Sequence, residues 1–341
     1  MTTTPLNVAI VGAGLMGRWH AHNVARAGGR LVAVADSDVS AARRLADRHR
    51  TLAFPSLDNL LATVNVNAVH ICTPLDTHIE LATRALDAGA HVLVEKPLAP
   101  DATSTAQLLA HAQARERFIV PVHQFIFQDG VQRTRAHIHT LAPIVHMELT
   151  AVTAGADGAD NRARDQLAAD ILPHALSLFQ YFLPRGVDDI AGLALHPAPG
   201  ELRALARFDD ISLAITISTH GRPTRNEFTL IGARGTLHAD LFHGFAVVQH
   251  GAPSRAQKII QPFAFATRSF AAATTNLASR ALHGETAYPG LRALLRAFYH
   301  AIAAGMPPPI APQATLAIAR ARDELTAELN TAMARADISG K

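Results

Sequence analysis

The 341 residues exceed what one compact core usually holds and suit two domains. Hydrophobic residues make up 49% and charged residues 17%, and 31 basic side chains nearly balance 28 acidic ones with no long run of like charge, which excludes disorder and gives no footprint for nucleic acid. A single cysteine, Cys72, rules out an intrachain disulfide and a thiolate metal cage, no apolar stretch is long enough to span a membrane, and the start MTTTPLNVAI carries no secretory leader, so the expected compartment is the cytoplasm.

Leu6 to Val11 is an apolar, β-branched run of strand type. It breaks into Gly12-Ala13-Gly14-Leu15-Met16-Gly17, and an amphipathic helix then runs to Ala27 and stops at Gly28-Gly29. Leu31 to Ala35 is the next strand. The alternation continues with helix Ser40 to His49, strand Leu52 to Phe54, a helix from Ser56, strand Ala68 to Ile71 and helix Thr77 to Ala88. Strand His91 to Val94, helix Thr103 to Arg115 and strand Phe118 to Val122 complete it. Such a series predicts an α/β fold with a doubly wound parallel sheet over residues 1–122, covered on both faces.

The glycine motif follows a strand and opens a helix, the context in which its turn lets backbone approach a pyrophosphate on the helix N-terminus. Gly12, Gly14, Leu15 and Met16 are therefore candidate cofactor contacts. Asp36 ends the second strand, where a carboxylate accepts hydrogen bonds from ribose hydroxyls and repels a 2′-phosphate. NAD is favoured, and Arg43 and Arg44, one turn further on, keep NADP as the alternative.

Beyond Val122 the pattern changes to a predicted α+β domain, 123–341, expected to hold the substrate determinants. Asp129 to Thr140 reads as helix, Ile144 to Val152 as strand, Ala154 to Asn161 as loop and Gln166 to Phe182 as a long amphipathic helix. Strands are expected at Leu202 to Phe208, Ile211 to Ser218, Glu227 to Ile231, Thr236 to Leu241 and Phe245 to Gln249, with hairpins that make the open sheet mostly antiparallel. Helices at Arg292 to Ala304 and Pro312 to Ala336 close the chain. Asp170 and His174 stand four apart, a spacing that lets a carboxylate orient an imidazole on one helix face. Pro173 between them fits only a first helical turn, so the helix either starts near Asp170 or is kinked there. His20/His22, His137/His139 and Asp170/His174 have pair spacings that metals use, but no third ligand is identifiable, and no metal is expected.

Ile71-Cys-Thr-Pro-Leu-Asp-Thr-His78 followed by Val94-Glu-Lys-Pro97, with the glycine motif and Asp36, resembles the Gfo/Idh/MocA family of sugar and polyol oxidoreductases, closely over residues 5–122 and loosely beyond. The resemblance implies that Thr73 and Pro74 line the nicotinamide side, with His78, a further cofactor-binding candidate, opening the next helix, that Glu95 contacts the cofactor and that Lys96 is catalytic. It also implies that His174 is the acid/base and Asp170 its support, although Leu172 stands where the family has glycine. The residues agree at Lys96: it leaves a strand at the sheet's ligand-binding edge, and an ammonium can both donate a proton and stabilise an oxyanion, whereas a guanidinium does not exchange its proton. Gln124 is the side chain expected to touch substrate or nicotinamide. The implied reaction is hydride transfer between nicotinamide and a secondary alcohol or ketone of a carbohydrate-like small molecule, by a homo-oligomer, dimer or tetramer. Rivals on the same scaffold are a redox-neutral glycoside-cleaving enzyme, an NAD-sensing regulator without catalysis, and a reductase of imines or non-sugar carbonyls.

Overall fold

A computed structural model describes residues 5–183, 185–187, 191–251 and 254–339, except the side chains of 191 and 333–339. The opening residues Met1 to Thr4, read above for a leader, and Lys341 lie outside the described residues. Two compact units result: Met1–Gln124 with Leu291–Ala319, and Phe125–Gly290 with Arg320–Lys341.

In the first unit six strands, β1 (Asn7–Val11), β2 (Arg30–Ala35), β3 (Leu52–Phe54), β4 (Ala68–Ile71), β5 (His91–Val94) and β6 (Ile119–Pro121), form one sheet. Its order is β3-β2-β1-β4-β5-β6 with every pairing parallel. The order reverses beside β1, so the carboxyl ends of β1 and β4 border the crevice where such sheets bind ligands. Helices α1 (Leu15–Val24), α2 (Val39–His49), α3 (Leu57–Thr63), α4 (His78–Asp87) and α5 (Ala102–Ala114) return between strands. Three start at side chains that satisfy orphan N–H groups: Asp38 accepts from Ser40 and Ala41, Ser56 from Asn59, and Asp101 from Ser104. Ala9, Ile71, Leu86, Val92 and Leu108 share one buried cluster.

The first unit also takes a helix from far along the chain, Leu291–Ala304, where the sequence pattern sets one continuous second domain, 123–341. Its apolar face explains the return: Leu294, Leu295 and Phe298 are fully buried and Tyr299 nearly so. At Gly29 an added Cβ would sit 2.9 Å from the Tyr299 ring, so the turn after α1 needs glycine where this helix packs.

The second unit carries β7 (Ile144–Val152), β8 (Ala191–Leu195), β9 (Glu201–Phe208), β10 (Ile211–Ser218), β11 (Arg225–Gly232), β12 (Gly235–Asp240) and β13 (Phe245–His250). Their order is β13-β12-β11-β7-β10-β9-β8, antiparallel except for β7 beside β10. Met147, Leu149 and Ala151 alternate inward along β7. Helix α6 (Asp129–Ala136) precedes the sheet, and Leu176 and Phe179 of α7 (Asn161–Phe182) meet Ala204, Leu213 and Ile215 over its buried face. α7 begins at Asn161, capped by Asp160, not at Gln166 or near Asp170, and Pro173 lies in its interior. Helix α8 (Arg255–Leu282) was not expected. The helix Leu291–Ala304 is α9, and α10 spans Pro312–Ser339. Among the described residues no helix is long and apolar enough to cross a membrane.

Candidate active site

The first unit gathers the glycine motif, Asp36, Thr73, Pro74, His78, Glu95, Lys96 and Gln124; Asp170 and His174 belong to the second. Gly12 has φ +97°, and a Cβ there would lie 2.5 Å from the Cys72 carbonyl oxygen. At Gly17 a Cβ would meet the Gly12 carbonyl at 1.8 Å, so this glycine lets α1 approach the turn. Gly14 differs: nothing lies within 4 Å of a Cβ placed there, and as N-cap of α1 it offers no side chain to the helix. Leu15 is 55% exposed and no acidic residue occupies the first turn. An uncapped helix start below open space has free N–H donors and positive potential, which suits a pyrophosphate.

Asp36 Oδ2 accepts the Ala13 N–H at 2.6 Å and Oδ1 the Asp38 N–H at 2.8 Å. Asp38, not Asp36, caps α2, so Asp36 is left to brace the glycine turn and to offer its remaining lone pairs outward. Arg44 lies 3.6 Å from Asp38. These residues fit a nicotinamide dinucleotide with an unphosphorylated ribose.

At the end of β4, Thr77 donates its hydroxyl to Thr73 Oγ1 at 2.7 Å. His78 is buried, with Nε2 2.9 Å from the Thr73 carbonyl and Nδ1 3.0 Å from that of Pro97. The ring ties the Thr73-Pro74 turn to the Lys96-Pro97 segment, so His78 positions these turns and does not itself reach outward. Glu95 is 9% exposed; its Oε2 accepts the Lys96 backbone N–H at 3.3 Å and its Oε1 lies 3.2 Å from His20 Nε2. His123, just past β6, was not singled out from sequence. Burial, and then the charge of Lys96, push its ring down to about 3, so it stays neutral beside the ammonium. Gln124 follows it and is 6% exposed.

In the second unit Asp170 Oδ1 accepts from Gln166 Nε2 at 2.9 Å, and the His174 ring lies tilted against Phe125, with centroids 4.4 Å apart. Both belong to the unbroken α7, where four residues return to one face, whereas Pro173 removes one backbone donor between them. Sequence reading also missed His70 and Tyr299, which join His20 beneath Glu95. A histidine inside a buried strand was the available signal for His70; nothing local marks Tyr299, 229 residues away. Among the described residues no group of three His, Cys, Asp or Glu could hold a metal ion.

Residues 6–123 match the model of the oxidoreductase family with an NAD-binding Rossmann fold, GFO_IDH_MocA. A UDP-N-acetylglucosamine 3-dehydrogenase of Acidithiobacillus ferrooxidans is 33% identical across 46% of this chain and 57% of its own length. An inositol 2-dehydrogenase of Leifsonia xyli is 38% identical over 34% of this chain and 35% of its own. The matches thus span about half and about a third of these relatives. Whole-chain likeness is structural: the Acidithiobacillus ferrooxidans enzyme GnnA superposes with TM-score 0.75 at 21% identity over 96% of this chain and 98% of that one. A levoglucosan dehydrogenase with NADH and levoglucosan does so with TM-score 0.77 at 16% identity, again over 96% and 98%. At such identities the likeness is one of fold.

Proposed function

We propose, from an N-terminal domain that belongs to the Gfo/Idh/MocA oxidoreductase family, that this chain transfers hydride between a nicotinamide cofactor and a secondary alcohol or ketone of a sugar, polyol or related molecule. The observation that carries the reading is the pairing, in one unit, of an uncapped α1 start under open space at Gly14 with Lys96 at the neighbouring ligand edge of the sheet. The relatives named above as sugar and inositol dehydrogenases support the substrate class.

Bound NAD supplies the hydride acceptor, and NADH the donor. The chain's residues do the rest. Gly12, Gly14, Leu15 and Met16 present backbone N–H groups to the pyrophosphate, and Asp36 takes the ribose hydroxyls. Thr73 and Pro74 line the nicotinamide side, with His78 bracing their turn. Lys96 holds its ammonium at the substrate oxygen, where it stabilises the alkoxide that forms on oxidation. On the second unit's α7, His174 takes the hydroxyl proton and Asp170 supports the imidazole; in reduction His174 returns it. Gln124 is assigned to substrate. A panel of polyols, sugars and keto-sugars followed at 340 nm with both cofactors tests the reading: turnover with a member of the panel is expected, and a chain that binds neither NADH nor NADPH contradicts it.

The same reading places the chain in the cytoplasm as a homo-oligomer. Its α8 carries Ile259, Ile260, Phe263, Phe270 and Leu277, 60–75% exposed, on the side away from Phe265, whose ring meets His238 of β12. Phe263, Phe270 and Leu277 recur every seventh residue and so share a face. Together these five side chains offer about 700 Å², close to one partner's share of a standard interface, and a second copy of the chain is the assigned occupant.

A further inference from the structure

Three buried side chains of the first unit join Glu95 in one continuous hydrogen-bonded series. Tyr299 Oη lies 3.1 Å from His70 Nε2, His70 Nδ1 lies 3.0 Å from His20 Nδ1, and His20 Nε2 lies 3.2 Å from Glu95 Oε1. Both histidines are fully buried, Tyr299 is 4% exposed and Glu95 9%. The His70 and Tyr299 rings are nearly parallel, and His20 meets His70 edge-on. The series therefore runs from a helix near the end of the chain, through the middle of β4, to the residue before Lys96.

With Glu95 ionised and His20 uncharged, its protons have one order that satisfies every link. As a carboxylate Glu95 can only accept, so His20 must donate from Nε2. A neutral His20 then accepts at Nδ1, which requires His70 to donate from Nδ1 and to accept at Nε2 from the Tyr299 hydroxyl. The reverse order would set a bare His20 lone pair against the Glu95 oxygen. Burial pushes the Tyr299 phenol well up, helped by Cys72, and pulls the His70 ring well down, helped by His20. Tyr299 thus remains a donor and His70 a neutral ring. Cys72, pushed up by burial and then by Glu95, stays a thiol and supplies no competing charge.

We propose that Tyr299, His70 and His20 are positioning residues, a relay of fixed proton order that holds the Glu95 carboxylate against the Lys96 backbone N–H and makes α9 a working part of the cofactor site. This rests on the roles given to Glu95 and Lys96 above. A donor anchored at each step keeps one Glu95 rotamer, and with it the backbone from which Lys96 extends.

Fluorescence titration of the full chain with NADH, thermal melting, and ring ¹⁵N spectra of the histidines test the relay. In the wild type, His20 should carry its proton on Nε2 and His70 on Nδ1. Tyr299→Phe should melt within about 4 °C of wild type while His70 populates both tautomers and the NADH dissociation constant rises about five-fold, the worth of one net hydrogen bond. His20→Leu should weaken NADH more, and His20→Gln, whose amide restores a donor toward Glu95, should recover most of the loss. Unchanged NADH affinity in Tyr299→Phe, or wild-type rings protonated in the opposite order, would overturn the relay. A wild type that binds no NADH would instead overturn the cofactor reading, while the ring spectra still decide the proton order.

Discussion

Asp36 shows how one side chain can serve two ends. Its carboxylate is bound to the Ala13 and Asp38 backbone N–H groups, so removing it loosens the glycine turn as well as the proposed ribose contact. Asp36→Ala should therefore weaken both cofactors, and NAD more than NADP because only NADP escapes a repulsion. Titration with each dinucleotide checks this, and equal losses would refute the specificity role. Within the glycine motif the three positions separate cleanly. Gly14→Ala meets no atom within 4 Å and should leave the melting temperature near wild type while lowering NADH affinity. Gly17→Ala, whose methyl would collide with the Gly12 carbonyl, should destabilise the unit itself, read as a fall in melting temperature. If both variants behave alike, Gly14 is not kept open for a ligand.

At the scale of elements, the parallel sheet was legible because its strands are apolar runs and its helices are punctuated, as by Gly28-Gly29 after α1. The cofactor half of the candidate site was legible for the same reason: its residues sit at strand ends, where local pattern fixes placement. Two elements, and the placement of a third, were not. β8 is a five-residue edge strand, AGLAL, too short to show alternation. α8 holds Pro262 and turns its large apolar residues outward, so no core-facing period marks it; its Ser254/Gln257 capping box was the available sign. α9 was read as a helix, but its amphipathic face says only that it packs, not that its cover is the first unit. Pro173 was read as a start or kink, yet α7 runs through it, because the burial of Leu172, Ala175, Leu176 and Phe179 outweighs one lost backbone bond. Pro173→Ala should accordingly raise the melting temperature modestly, if the added N–H reaches the Ala169 carbonyl, and a lower value would show that the proline shape is needed.

At the scale of the molecule, the balance of charge says little and the buried rings say more. His70, His91 and His123 are all held below the ordinary 6.5, by burial first and then by His20, Arg117 and Lys96 respectively, with His91 at about 4 and His123 at about 3. Their native pKa values are depressed, so the unfolded chain binds more protons below 6.5; stability is fully present above that pH and is lost as pH falls through about 4 for His91 and about 3 for His123. Melting temperature against pH should show this decline, with a shallower slope in His123→Gln, and a flat profile would contradict it. Light scattering should find an assembly larger than one chain, and Phe263→Ser with Phe270→Ser should shift it to the monomer; an unaltered assembly would place the contact elsewhere than α8. The central claim, that Lys96 serves hydride transfer, is met most directly by the 340 nm rate of Lys96→Met beside wild type on the substrate that wild type turns over fastest. A loss of roughly a hundred-fold or more with NADH affinity retained is predicted, and a rate close to wild type would contradict it.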